Sequence, residues 1–141
     1  MREMTKDERT EFLLSGTRTG KLAWVGKDGS PHVAPMWFLL DGDDVVFNTH
    51  EDSGKAKALR REGRASMVVD DESPPFAFVK MDGPVTFEDD LEMVRDLATR
   101  IGGRYMGPER AEEFGARNGV AGELIVRLSP ARIIAQADLS D

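Results

Sequence analysis

The chemically most distinctive part of the sequence is a basic segment between Ser53 and Arg64. It carries five positive charges against the single negative charge of Glu62, and these are Lys55, Lys57, Arg60, Arg61 and Arg64. Strong helix formers followed by Gly63 predict a helix that begins near Ser53. Free N–H groups at a helix N-terminus, with a hydroxyl and an ammonium group, form a site for one phosphate group. Charge alone favours the alternative, a solvated basic helix paired with acidic turns.

Other candidates for catalysis are few. The two histidines, His32 and His50, lie in different segments, and neither has the spacing of a metal-ligand set. The absence of cysteine excludes disulfides, iron–sulfur clusters, thiolate zinc sites and cysteine nucleophiles. The acidic clusters fall at strand ends and helix starts, where turn and cap roles explain them. These residue types and spacings therefore indicate no catalytic group and no metal site.

Composition limits the kind of partner. The chain has 141 residues, which fit one domain, so we expect residues 1–141 to form a single domain. A net charge of −7 argues against the broad basic surface that nucleic acids and acidic membranes require. No apolar window is long enough for a transmembrane helix, and the N-terminus lacks the apolar core of a signal peptide. We therefore expect a cytoplasmic protein with no nucleic-acid or membrane partner.

Turn residues divide the chain into the elements that must position the basic segment. Six strands are predicted, at residues 21–25, 31–40, 44–49, 64–70, 76–87 and 122–137, the last interrupted at Ser129-Pro130. The first three are expected to form an antiparallel meander. Helices are predicted at 5–15, at 53–62, from 88–90 to about 102, and after Pro108. The pattern predicts a mainly β fold, a small barrel with appended helices.

The second predicted strand contains an unusual run, Pro35-Met36-Trp37-Phe38. Proline within a strand is confined to edges and bulges, so neighbouring backbone groups are free to bind something other than a strand. The alternative is a core strand with apolar residues on both faces, and the two accounts are compatible.

Three blocks, in their order and spacing, resemble the pyridoxamine 5′-phosphate oxidase-like split-barrel family. They are DGSPHVAPMWF at 28–38, FNT at 47–49 and SGKAKALR at 53–60, and KMDGPV at 80–85 agrees with them. The resemblance covers about residues 20–85, with the last strand compatible. It implies a six-stranded split antiparallel β-barrel, the FMN-binding split barrel, with a few helices. It also implies a homodimer with a flavin or deazaflavin across the subunit interface.

The resemblance also implies which residues bind that cofactor. The strand from His32 to Trp37 would line the tricyclic ring through its backbone, which includes Val33, Ala34, Pro35 and Met36. Asn48 and Thr49 would border the ring or the ribityl chain. Ser53 and Lys55 would hold the phosphate, with Lys57 and Arg60 as additional contacts. This favours the phosphate interpretation of the basic helix over the solvated one.

Departures from the family pattern bear on the cofactor. Pyridoxamine phosphate oxidases themselves carry arginine at the position of Gly54, glutamine near Phe78 and a C-terminal extension with tryptophan and arginine, none of which is found here. The sequence therefore looks more like the branch that uses coenzyme F420, a deazaflavin with a phosphate and an oligoglutamate tail. Only Arg60, Arg61 and Arg64 are concentrated enough to suit that polyanionic tail.

The function that the resemblance implies is an F420-dependent oxidoreductase, which transfers a hydride between the deazaflavin and a small electron-poor organic substrate. Two alternatives remain open: an FMN-dependent oxidoreductase of the same fold, and a non-catalytic protein that binds flavin or F420. If the reaction needs a proton donor, Tyr105 and His32 are the first side chains to test.

Overall fold

An antiparallel sheet of nine strand segments curls around the hydrophobic core and carries four helices in this computed structural model, which describes residues 1–141. The strands are β1 (Arg2–Glu3), β2 (Gly20–Val25), β3 (Pro31–Met36), β4 (Leu39–Asp41), β5 (Asp44–His50), β6 (Arg64–Asp71), β7 (Ala77–Glu88), β8 (Glu123–Leu128) and β9 (Arg132–Ala137). The helices are α1 (Lys6–Leu14), α2 (Gly54–Glu62), α3 (Leu91–Met106) and α4 (Ala111–Asn118), with a 3-10 turn at Pro108–Arg110. None of these helices has the length and apolar character needed to cross a membrane.

All six predicted strands are present, and the predicted mainly β, antiparallel split-barrel fold is confirmed. The count of segments is higher because two of the predicted strands are divided. The second breaks at Trp37 and Phe38 into β3 and β4, which the sequence did not predict. The last breaks between Leu128 and Arg132 into β8 and β9, at the predicted interruption. The two-residue β1, which pairs with β9, adds the ninth segment.

The order of the strands corrects the predicted meander. Along the sheet the order is β3-β2-β6-β7-β8-β5-β4, and β9 pairs with β7 and β1. β3 pairs with β2 and β4 with β5, so the second predicted strand does not pair with the third along its length. β3 and β4 lie at opposite ends of the strand order, although only Trp37 and Phe38 separate them in the chain. The barrel is therefore split at this link, and the prolines of β3 lie on an edge strand.

A bend in β7 lets the sheet curl. The first part of β7 pairs with β6 and β9, and Val85–Glu88 pair with β8. Between these parts, a Cβ atom on Gly83 would lie only 2.1 Å from the carbonyl oxygen of Ser129. Only glycine permits this approach of two backbones, so Gly83 fixes the point at which the strand changes partners.

Two apolar clusters hold the helices on the sheet. The larger fills the barrel and includes the fully buried Leu22, Phe47, Leu59 and Met67. The smaller lies between α3 and the sheet, where it joins Val94, Leu97 and Ile101 of α3 to Val46 and Ile125. The predicted apolar stripe of α3 is confirmed at these α3 positions and at Ala98, whereas Leu91 is exposed.

Side chains from the end of α3 bind the backbone at the split. The N–H group of Phe38 donates to the Tyr105 hydroxyl at 3.3 Å, and Arg104 Nη1 donates to the Phe38 carbonyl oxygen at 2.8 Å. The Tyr105 hydroxyl donates to the carbonyl oxygen of Arg18 at 2.9 Å. Arg104 also donates to the carbonyl oxygen of Leu13, at 2.7 Å. Because Phe38 belongs to neither strand, these side chains satisfy backbone groups that a sheet would otherwise pair.

Removal of the Tyr105 hydroxyl should therefore destabilise the fold. We expect Tyr105→Phe to lower the free energy of unfolding by about 1–3 kcal/mol, since the backbone N–H group of the buried Phe38 loses its acceptor. Urea denaturation measures the change. Ser140→Ala, which removes an exposed hydroxyl, should change the free energy of unfolding by less than about 0.5 kcal/mol. Equal stability of Tyr105→Phe and the wild type would contradict the account of the split.

Candidate functional site

Helix α2 begins where the sequence predicts. Ser53 is its N-cap, and the Ser53 hydroxyl accepts a hydrogen bond from the N–H group of Ala56 at 3.0 Å. The same hydroxyl lies 3.3 Å from that of Thr49, at the end of β5. Gly63 ends the helix in the left-handed conformation with a φ of 71°. The N–H groups of Gly54 and Lys55 precede the first of these hydrogen bonds and have no intrahelical acceptor, so they are free to bind an anion.

Lys55, in the first turn of α2, is half-buried and forms no salt bridge. Its Nζ atom lies 3.4 Å from the sulfur of Met36 and 5.8 Å from the centre of the Trp24 ring. Burial lowers the pKa of Lys55, and the negative charge of Glu123 opposes this effect. The site therefore contains a half-buried cation with no carboxylate within salt-bridge distance.

A cleft of about 350 Å³ lies beside Lys55. It is formed by the end of β3 and the link after it, by β5, α3, the end of α4 and the start of β8. Its lining residues are Pro35, Met36, Trp37, Asn48, Ile101, Asn118 and Glu123. The amide of Asn48 donates to a carboxylate oxygen of Glu123 at 2.8 Å. The Trp37 ring is stacked on that of Tyr105, with centres 5.1 Å apart and planes 2° apart. The helix α3 thus fixes the orientation of the aromatic wall of the cleft.

The structure gathers some of the predicted residues and separates others. Pro35, Met36, Trp37 and Asn48 line the cleft, Lys55 contacts Met36, and Thr49 and Ser53 adjoin each other at the start of α2. Ala34 is partly buried in β3, and Val33 is 68% exposed on the edge strand. Lys57 is exposed, and the guanidinium group of Arg60 lies 5.0 Å from the centre of the Phe87 ring. These last residues do not line the cleft.

The arginines at the end of α2 contact different parts of the structure. Arg61 pairs with Glu62 and donates to the carbonyl oxygen of Val25 at 2.9 Å. Arg64 lies at a separate cavity, whereas Arg60 faces Phe87. The three side chains therefore do not form one groove with Lys55.

The two suggested proton donors both lie outside the cleft. The Tyr105 hydroxyl donates to the backbone of Arg18, and burial raises the pKa of Tyr105. His32 stacks on Trp24, with ring centres 5.6 Å apart, and its Nε2 atom lies 3.0 Å from the Ser30 hydroxyl.

Sequence reasoning missed Glu123 and Asn118. No motif marks them, because Glu123 reaches the site only through the register of β5 and β8, in which it lies opposite His50. Asn118 reaches it through the packing of α4 on α3. A correct prediction of the pairing of β5 with β8 would have located Glu123.

These residues suit a phosphate-bearing ligand with an apolar body. Lys55, the Ser53 hydroxyl and the N-terminus of α2 provide a cation and hydrogen-bond donors for one phosphate group. A Cβ atom on Gly54 would have no neighbour within 4 Å, so nothing in the protein fills this side of the helix start. The adjoining cleft offers the apolar surfaces of Met36 and Trp37.

Comparisons with known proteins show the family to which the chain belongs. A family profile described as pyridoxamine 5′-phosphate oxidase matches residues 5–136. An F420H(2)-dependent biliverdin reductase of Mycobacterium tuberculosis is 22% identical over 129 residues, which cover 92% of this chain and 87% of that protein.

Two solved structures are also similar. A conserved hypothetical protein of Mycobacterium tuberculosis has a TM-score of 0.84 and 26% identity, over 97% of this chain and 87% of that one. An F420 reductase has a TM-score of 0.74 and 26% identity, over 87% of this chain and 94% of that one.

The effect of the Glu123 charge on the pKa of Lys55 should be measurable. We expect Glu123→Gln to lower the pKa of Lys55 further, because the substitution removes the negative charge that opposes desolvation of the ammonium group. NMR titration of the lysine side chains, with Lys55 assigned from Lys55→Arg, measures the shift. Glu112→Gln, an exposed change on α4, should leave the Lys55 titration unaltered. An unchanged Lys55 pKa in Glu123→Gln would show that the two groups do not interact.

Proposed function

Because the chain belongs to the pyridoxamine 5′-phosphate oxidase family, we propose that it is an oxidoreductase that uses the deazaflavin coenzyme F420. Its substrate is a small electron-poor organic molecule. Residues 1–141 act as one split-barrel domain in the cytoplasm.

The observation that carries the proposal is the unpaired, half-buried ammonium group of Lys55 at the start of α2. Desolvation of a cation is unfavourable unless an anion compensates it. A cofactor phosphate at this point would supply the missing charge and accept hydrogen bonds from the Ser53 hydroxyl and the helix amides. A charge-assisted contact of this kind contributes about 1.5–3 kcal/mol.

The free edge of strand β3 is consistent with a cofactor whose tricyclic ring lies in the cleft. β3 pairs only with β2, so the backbone groups on its other side have no strand partner. Met36 and Trp37, at the end of β3, line the cleft beside Lys55. A planar ring in this cleft would meet unpaired backbone groups along one edge and apolar side chains on its face.

The choice of F420 rests on the relatives and on Gly54. Of the proteins similar to this chain, one is named an F420H(2)-dependent biliverdin reductase and another an F420 reductase. Gly54 stands where the resemblance places an arginine in pyridoxamine phosphate oxidases. We therefore propose F420 as the cofactor and FMN as the competing possibility that the titration below tests.

When bound, F420 supplies the hydride, and the protein supplies binding, orientation and exclusion of water. Lys55 and Ser53 hold the phosphate, while Met36 and Trp37 support the ring. Trp37 keeps its orientation because it stacks on Tyr105, whose hydroxyl is bonded to the backbone. No side chain of the cleft is needed as the hydride donor.

We also propose that the protein is a homodimer with the cleft at the interface. Val33 is 68% exposed on the edge strand β3, next to the open cleft. A second copy that covers this strand would bury Val33 and close the cleft from water.

Titration of the purified protein with F420 and with FMN tests which of the two cofactors it binds. We expect micromolar affinity for F420, and a loss of about tenfold or more in Lys55→Ala because a charge-assisted phosphate contact is removed. Lys27→Ala, which removes an exposed lysine of the β2–β3 turn, should bind F420 like the wild type. Tight FMN binding without F420 binding would overturn the choice of cofactor, and unchanged affinity in Lys55→Ala would remove the phosphate site.

The dimer is tested by molecular mass in solution. We expect a species of about 31 kDa, twice the chain mass of 15.6 kDa, and a shift toward monomer in Val33→Glu. Val120→Glu places the same charge at another exposed valine, outside β3, and should leave the mass unchanged. A wild-type protein that binds F420 as a strict monomer would contradict the interface site.

A further inference from the structure

A negative charge lies close to the cation of the proposed phosphate site. Glu123, the first residue of β8, is partly buried and lines the cleft beside Lys55. We propose that Glu123 determines which kind of phosphate this site binds, a singly charged phosphodiester in preference to a doubly charged phosphomonoester. This inference rests on the proposed function, because it concerns the phosphate of the cofactor.

The backbone places Glu123 next to the turn that leads into α2. In the register of β5 and β8, Glu123 lies opposite His50. The carbonyl oxygen of the neighbouring Gly122 accepts a hydrogen bond from the N–H group of Glu51 at 2.8 Å. The N–H group of Ser53 donates to the carbonyl oxygen of His50 at 3.1 Å. These bonds fix the backbone of Glu123 relative to the N-terminus of α2.

The side chain of Glu123 is oriented but not neutralised. Its partner is the amide of Asn48, which donates to one carboxylate oxygen at 2.8 Å and carries no charge. The negative charge of Glu123 acts on Lys55, whose ammonium form it favours. Glu51 and Asp52, both exposed in the turn before α2, carry charge of the same sign. An anion bound to Lys55 is therefore repelled by Glu123.

The other basic residues of α2 do not offset this repulsion. Lys57 is exposed and lies two residues from Lys55, a spacing that places the two side chains on different faces of the helix. Arg60 packs on an aromatic ring, and Arg61 pairs with a carboxylate. Gly54, beside Lys55, has no side chain to add a charge. The site thus combines one cation with one opposing carboxylate.

The two classes of phosphate differ in charge near neutral pH. A monoester such as FMN loses its second proton with a pKa of about 6 and carries nearly two negative charges. A diester has no second proton to lose and carries one. The phosphate of F420 joins the deazaflavin to its tail and is a diester. One lysine balances that single charge, whereas the second charge of a monoester is repelled by Glu123 without a further cation to compensate it.

FMN and its phosphate methyl ester test the proposal, because they differ only by a methyl group and the charge that it removes. Fluorescence titration at about pH 7.5, where FMN is doubly charged, should show tighter binding of the methyl ester by the wild type. Glu123→Gln should shift the ratio of the two affinities toward FMN by about threefold or more, since the lost charge repels a dianion more than a monoanion. Glu112→Gln removes the same charge from an exposed position of α4 and should leave the ratio unchanged.

A second variant changes the charge without altering Glu123. Gly54→Arg adds a cation next to Lys55, where a Cβ atom has no neighbour within 4 Å, and should shift the ratio toward FMN as well. Glu123→Gln keeps an oxygen that can accept from the Asn48 amide, and thermal unfolding checks that it retains the fold.

Titration with F420 separates failure of this proposal from failure of the proposed function. The specificity role is wrong if F420 binds but the wild type prefers FMN to the methyl ester. It is also wrong if Glu123→Gln leaves the ratio unchanged or Glu112→Gln changes it equally. Binding of FMN without F420 would overturn the proposed cofactor, whereas a shifted ratio in Glu123→Gln would still support the role of Glu123. Absence of binding by all three ligands would overturn both proposals.

Discussion

The interruption of the sheet at Trp37 and Phe38 is the constraint on which the rest of the structure depends. The strands at the two ends of the sheet, β3 and β4, follow each other in the chain. The chain itself therefore connects the two edges of the barrel, and no hydrogen bonds pair them. This leaves β3 as an edge strand with free backbone groups and opens a cleft at its end. Arg104 and Tyr105 stabilise the break because they bind the backbone that no strand pairs.

Charge placement makes the proposed anionic cofactor compatible with an acidic protein. The net charge of −7 is an average over a chain whose segment from Ser53 to Arg64 is strongly basic. Folding separates these charges: α2 buries its apolar face in the core, Lys55 lies against Met36, and Arg64 lies at a separate cavity. The protein thus presents small, local cationic sites rather than the continuous basic surface that a nucleic acid requires.

Local signals in the sequence predicted most elements, and non-local contacts account for what it missed. The predicted helix at residues 5–15 begins with a capping box of Thr5 and Glu8, and the predicted end of α2 lies at Gly63 in the left-handed conformation; both are local features. Both antiparallel pairings of the predicted meander are present, β2 with β3 and β4 with β5, but its middle strand is not continuous. Only the closure of the whole sheet shows that the chain breaks after Met36. Helix α3 continues past Gly102 because that glycine makes room for Phe114 of α4 and does not end the helix. Glu123 enters the site through strand register, which no local pattern encodes.

The central claim is that Lys55 lacks an anion which the cofactor phosphate supplies. The most direct measurement is an NMR titration of the Lys55 ammonium group without and with saturating F420. The account predicts that F420 shifts the Lys55 signal and raises its pKa, because a phosphate beside a half-buried cation favours the charged form. Binding of F420 with no change in the Lys55 signal or its pKa would contradict the account.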